Sequence, residues 1–144
     1  MVSQIKEPSA SLTGARCRVP RASASLAFVG LATVHLVIKL GGFPRLHQIV
    51  SRWPVSKRTS NDQETIATVC AAVERATTYY VKHTWCLERS AVLTCYLRAK
   101  GVPAQMVIGC RKMPFHGHAW VEVNGQVVND NQKVLTFYEP LYRC

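Results

Sequence analysis

At 144 residues, 48% of them hydrophobic and 18% charged, the chain has the length of one domain and enough apolar material for one sizeable core. With 7 Pro, 8 Gly and no low-complexity tract, it fits neither a disordered chain nor a collagen-like repeat. The net charge of +10 is lopsided, because residues 1–60 carry nine Lys or Arg against the single acid Glu7, while residues 61–144 carry nine against seven acids. A basic N-terminal region could meet an anionic partner, but no helix-turn-helix, zinc-finger or aromatic RNA-binding pattern is present, so a nucleic-acid partner is not expected.

Residues 1–20 mix Ser, Pro and Arg without periodicity and read as a flexible basic tail. Residues 21–60 read as a helical N-terminal segment. It has a helix over about 22–40 stopped by Gly41, Gly42 and Pro44, a short one near 45–51, and a linker marked by Pro54, Ser56, Ser60 and Asn61. Its apolar run, LAFVGLATVHLVI at 26–38, follows Arg16, Arg18 and Arg21 as the apolar part of a signal peptide would. Against that reading, the run starts deep in the chain, contains His35 and meets Lys39 without a small-residue cleavage pattern. It is also shorter than the about 20 residues a bilayer span needs. A buried helix follows, with loose contact to a membrane surface left open.

Residues 61–144 read as the core domain. Ser60 three residues before Gln63 has capping-box spacing, and Asp62 and Glu64 favour a helix N-terminus. Ile66, Val69, Cys70, Val73, Thr77, Tyr80 and Val81 then recur at helical spacing, predicting a helix over about 62–82. After a break at His83–Thr84, CLERSAVLTCYLRAK predicts a largely buried helix over 86–100, with Arg98 and Lys100 suiting its negative end and Gly101 and Pro103 stopping it. Strands are predicted at about 104–109, 117–123, 126–131 and 134–138, so helices precede an antiparallel sheet in an α+β arrangement.

Cysteines stand at 17, 70, 86, 95, 110 and 144, widely spaced and without a CxxC pair, which favours reduced thiols and a cytoplasmic protein over a disulfide framework. Cys110, His116 and His118 lack a fourth ligand for zinc, so neither a metal nor another cofactor is expected. Cys70, Cys95 and Cys110 read as small buried hydrophobes. Cys86 differs because it opens a helix, where the dipole stabilises a thiolate and its own free N–H could face an oxyanion.

Downstream, HAWVEV, Asn124–Gly125 and QVVND make a hairpin. A two-residue turn would set Ala119 opposite Asp130 and send His118 and Asp130 to opposite faces. A three-residue loop with Gly125 at a bulge pairs Glu122 with Gln126 and sets His118 opposite Asp130, roughly 5 Å apart at Cβ. The bulged register is expected, because in it Asp130 could orient His118 and His118 could take the proton of Cys86.

The motifs CLERS at 86–90, LRAKGVPAQMVIG at 97–109 and PFHGHAWVEVNGQVVND at 114–130 resemble the leader peptidase of lasso-peptide biosynthesis, the transglutaminase-like C-terminal part of the B protein. The resemblance implies a papain/transglutaminase-like α+β fold and hydrolysis through a thioester, with Cys86 as nucleophile, His118 as base then acid, and Asp130 as orienter. The implied partners are a precursor (leader) peptide, a separate leader-recognition protein and an ATP-dependent cyclase. Trp85, His116 and Trp120 are candidates for substrate binding, with core packing the favoured reading of Trp120, and Arg89 could brace the site by an ion pair. Two other readings stay open: a transglutaminase-like acyltransferase using an amine acceptor, and a non-catalytic basic adaptor.

Overall fold

The computed structural model describes residues 21–57, 63–80 and 86–144. The tail at 1–20, the caps Ser60 and Asp62, Val81, the His83–Thr84 break and Trp85 lie outside the described residues. Three helices come first: α1 (Arg21–Arg52), α2 (Gln63–Tyr79) and α3 (Cys86–Ala99). Strands β1 (Ala104–Arg111), β2 (His116–Val123) and β3 (Gln126–Val127), the short helix α4 (Val134–Phe137) and strand β4 (Glu139–Arg143) follow. The sheet is antiparallel with strand order β3-β2-β1-β4.

The span α1 holds the two helical stretches expected, separated where Gly42 takes the non-helical φ 64 and ψ −170 ahead of Pro44, and the second stretch folds back so that Leu46 and Val50 pack beside Val34 and Val37 of the first. Ala24–Arg52 as a whole has the length and composition of a membrane-crossing helix, but the non-helical Gly42 interrupts it. Ala27, Leu31, Leu46 and Val50 are also buried against the rest of the protein. Helix α2 buries Ile66, Val69, Ala72, Val73 and Ala76 at helical spacing.

Helix α3 packs between the other helices and the sheet, which is why Ala91, Leu93 and Leu97 are fully enclosed. It ends in a Schellman motif. Gly101 at φ 85 lets its N–H reach the Arg98 carbonyl and the Val102 N–H reach the Leu97 carbonyl, both at 3.0 Å. Arg98 does more than suit the helix end. Buried, it donates from Nε to the Ala104 carbonyl at 2.8 Å and from Nη1 to the Val50 carbonyl at 2.7 Å.

The two faces of the sheet have separate cores. Ala104, Val121 and Val123 face the helices, whereas Val107, Trp120 and Val127 meet Val134 and Tyr138 on the other side. The hairpin corrects the expected register. Asn124 (φ 52) and Gly125 (φ 78) form a two-residue type I′ turn, and Val123 pairs with Gln126 and Glu122 with Val127. The strand expected at 126–131 is only two residues long, and that expected at 134–138 is the helix α4. Strand β4, on the free edge of β1, is an element the sequence pattern missed.

Candidate active site

Cys86 is the first residue of α3 and His118 lies near the start of β2, opposite Gly109 on β1. His118 Nε2 lies 2.6 Å from Asp130 Oδ2. Hydrogen bonding toward the His118 side chain is the largest influence on the Cys86 thiol, and with Nε2 committed to the carboxylate, Nδ1 is the nitrogen left for sulfur. The structure thus brings Cys86, His118 and Asp130 together without the bulged turn.

Asp130 reaches His118 because the ladder stops before it. After Val128 the backbone bends, and Asn129 turns its side chain into the sheet: Oδ1 accepts the Val121 N–H at 2.8 Å and Nδ2 donates to Ser90 Oγ at 3.1 Å. Ser90 Oγ in turn donates to the Ala119 carbonyl at 3.0 Å. The alternation that would send Asp130 to the wrong face ends at this clamp. Asp130 Oδ1 also accepts the Asn131 N–H at 2.7 Å, which fixes the carboxylate.

The electrostatics favour charge separation. The hydrogen bond to His118 holds the Cys86 thiol below its usual range. Burial opposes this, while the Ala119 and Leu87 N–H groups and the imidazole charge reinforce it. His118 is pushed up by its bond to Cys86, against burial and with further help from Asp130. For Asp130, burial is the largest influence and raises it. The His118 bond, the Asn131 N–H and the charges of His118 and Arg89 together outweigh burial and leave it lowered. Cys70 and Cys95 contrast with Cys86, since burial pushes each to about 11. None of the five described cysteines is in a disulfide.

The remaining candidates separate. Trp120 is fully buried, stacks beneath His118 with ring centroids 6.2 Å apart, and donates Nε1–H to Glu122 at 2.8 Å. It fills the core and offers no surface to a substrate, which corrects its place among the substrate-binding residues. His116 is exposed at the rim, its Nδ1 3.1 Å from the Tyr138 hydroxyl. Arg89 pairs with Glu74 at 3.2 Å and reaches the Asn129 carbonyl at 3.5 Å. Sequence reasoning missed Asn129, Ser90 and Tyr138, whose ring centroid lies 5.1 Å from that of His118. Among the described residues no group of three or more His, Cys, Asp or Glu side chains could hold a metal ion.

Residues 30–143 match the family described as the transglutaminase-like superfamily. The chain belongs to that superfamily. A 45-residue stretch is 49% identical to the microcin J25-processing protein McjB of Escherichia coli, covering 31% of this chain and 22% of that protein. The likeness agrees with the resemblance to lasso-peptide B proteins drawn from the motifs. No solved structure matches the chain at a significant level. The α+β transglutaminase-like fold is therefore established from both sequence and architecture.

Proposed function

We propose that this chain is a cysteine peptidase that removes the leader from a ribosomally synthesised lasso-peptide precursor. The observation that carries this reading is the His118–Asp130 contact at 2.6 Å beside a Cys86 thiol held below its usual range. The partial likeness to a microcin-processing protein supports the substrate class.

In this reading the Cys86 thiolate attacks the carbonyl carbon of the scissile amide. The N–H of Cys86, which has no intrahelical partner at the α3 N-terminus, faces the developing oxyanion. The His118 imidazolium protonates the departing amine, which is the new N-terminus of the core peptide. A thioester to the leader's terminal carbonyl remains. His118, now neutral, takes a proton from water, hydroxide adds to the thioester, and the leader leaves with a free carboxylate. Asp130 holds the imidazole with Nδ1 toward sulfur throughout. A separate leader-recognition protein would deliver the precursor, and an ATP-dependent cyclase would consume the freed amine.

The side chains of His118 and Asp130 are 18% and 29% exposed, an opening to water that suits hydrolysis better than transfer to an amine. The test incubates the chain with a cognate precursor and recognition protein, with and without added amines, and follows the products by mass spectrometry. The expected product is a leader ending in a carboxylate, absent with Cys86→Ala. Amine incorporation at that terminus would make the chain an acyltransferase. Cleavage that survives Cys86→Ala would overturn the assignment.

A further inference from the structure

Helix α1 exposes apolar side chains where a surface helix ordinarily exposes charge. Leu26, Val29, Leu36 and Leu40 are 63%, 61%, 54% and 79% exposed, and their spacing puts them on one stripe about 21 Å long. The opposite side carries the buried Ala27 and Leu31, packed into the core formed with α2 and α3. Leu46 and Val50, beyond the break at Gly42, cover Val34, Val37 and Ile38 on a second side, and the Leu26–Val29–Leu36–Leu40 stripe is left uncovered.

The charge around the stripe says what covers it. No Asp or Glu occurs between Glu7 and Asp62, an interval that holds eight Lys or Arg. Lys39, at the edge of the stripe, and Arg45, Arg52 and Lys57 beyond it are all exposed. Trp53, 42% exposed, is brought by the fold-back at Gly42 to the groove that Leu26 and Val29 line, and an indole of this kind favours a membrane–water boundary. A second copy of the chain would bring one acid-free face against another, and like charges would oppose the pairing. An anionic lipid surface satisfies both the apolar stripe and the surrounding cations.

We propose that α1 is an in-plane docking element that seats the chain on an anionic bilayer through the Leu26–Val29–Leu36–Leu40 stripe. The packing of Ala27 and Leu31 keeps the helix against the protein, so it lies on the membrane and does not cross it. This inference is independent of the peptidase reading.

The experiment is flotation of the full chain with vesicles of phosphatidylcholine alone, or of phosphatidylcholine with about a third phosphatidylglycerol. Binding to the anionic vesicles is expected, with a loss of at least about ten-fold on neutral vesicles or in about 0.5 M salt. Val29→Glu with Leu36→Glu, both exposed, should abolish flotation while Cys86 keeps its alkylation profile, which reports a folded protein. Lys39→Gln and Arg45→Gln leave the apolar stripe intact and should each weaken anionic binding by about five-fold. Failure to float with either vesicle, or flotation unchanged by the Glu pair, overturns the proposal. So does a self-associated chain that the Glu pair dissociates without any lipid binding, which would make the stripe a contact between copies.

Discussion

His118 divides its ring nitrogens between two partners of opposite need. Nε2 faces the Asp130 carboxylate at 2.6 Å, and Nδ1 is left for the Cys86 sulfur. A carboxylate at that distance fixes the tautomer and stabilises the imidazolium that a thiolate requires. Asp130→Asn retains a hydrogen-bond acceptor but loses the charge. In the proposed leader cleavage its kcat/KM should fall by about 10²- to 10⁴-fold, and alkylation of Cys86 should need a higher pH. Equal alkylation profiles for variant and parent would show that Asp130 does not act through the imidazole. The pair also sets the sign of the pH dependence. Cys86 is lowered from 9.0 and His118 raised from 6.5, so the thiolate–imidazolium form grows as pH climbs through the lowered cysteine value. It is lost as pH climbs through the raised histidine value. The bell in kcat/KM should therefore have its acid limb below 9.0 and its alkaline limb above 6.5, the two limbs belonging to the coupled pair. A profile with a single rising limb would contradict this.

Strands β1 and β2 carry the imidazole on a platform that depends on one missing methyl group. Gly109 stands opposite His118, and a Cβ there would lie 2.7 Å from both the Trp120 ring and the Glu139 carbonyl. Neither the buried indole nor the β4 backbone can give way freely. Gly109→Ala should cost about 1–3 kcal/mol in urea unfolding and should tilt the ring beneath His118. Lower kcat/KM in the fraction that still folds is the second readout. An unchanged midpoint with full activity would mean that β4 shifts without cost. The hairpin shows where sequence reasoning reached its limit. HAWVEV, Asn124–Gly125 and the Asp at 130 were all legible from period-two alternation and turn chemistry. The register was inferred from the demand that His118 meet Asp130, on the premise that the ladder extends that far. Asn129 ends the ladder by bonding the Val121 N–H and Ser90, a tertiary contact with no periodic signature. Strand β4 was illegible for a related reason. It is an edge strand exposed along its length, with Pro140 inside, so no burial alternation marks it. The β-rich stretch before it, Val-Leu-Thr-Phe-Tyr, outweighed the Asn131 turn that starts α4, where Oδ1 accepts the Lys133 N–H at 2.9 Å.

Across the whole molecule α3 is the shared member, with Cys86 at one end and Arg98 about 18 Å away at the other. Near the Cys86 end, the buried Glu88 meets His35 of α1 at 2.9 Å, tying the first turn of α3 to the N-terminal helix. At the far end Arg98 gathers three segments. Its guanidinium donates to the Val50 and Trp53 carbonyls at the end of α1 and to the Ala104 carbonyl at the start of β1, while its own carbonyl accepts the Ser56 N–H at 2.8 Å. The α1 carbonyls carry the negative end of a helix, so a buried cation there meets both charge and hydrogen-bond acceptors. Arg98→Ala should therefore lower the unfolding free energy by about 2–4 kcal/mol, since it removes charge-assisted hydrogen bonds from buried carbonyls and leaves a cavity. Arg98→Lys should recover only part of this loss, because an ammonium cannot reproduce the planar fork that spans α1 and β1. Both variants, where folded, should keep the early alkylation of Cys86, since the thiolate is held by His118 and Asp130 at the opposite end of the helix. Chemical denaturation and cysteine mapping on the same samples separate the two effects. Loss of Cys86 reactivity in step with stability in Arg98→Lys would mean that the far end of α3 also sets the geometry of the thiol.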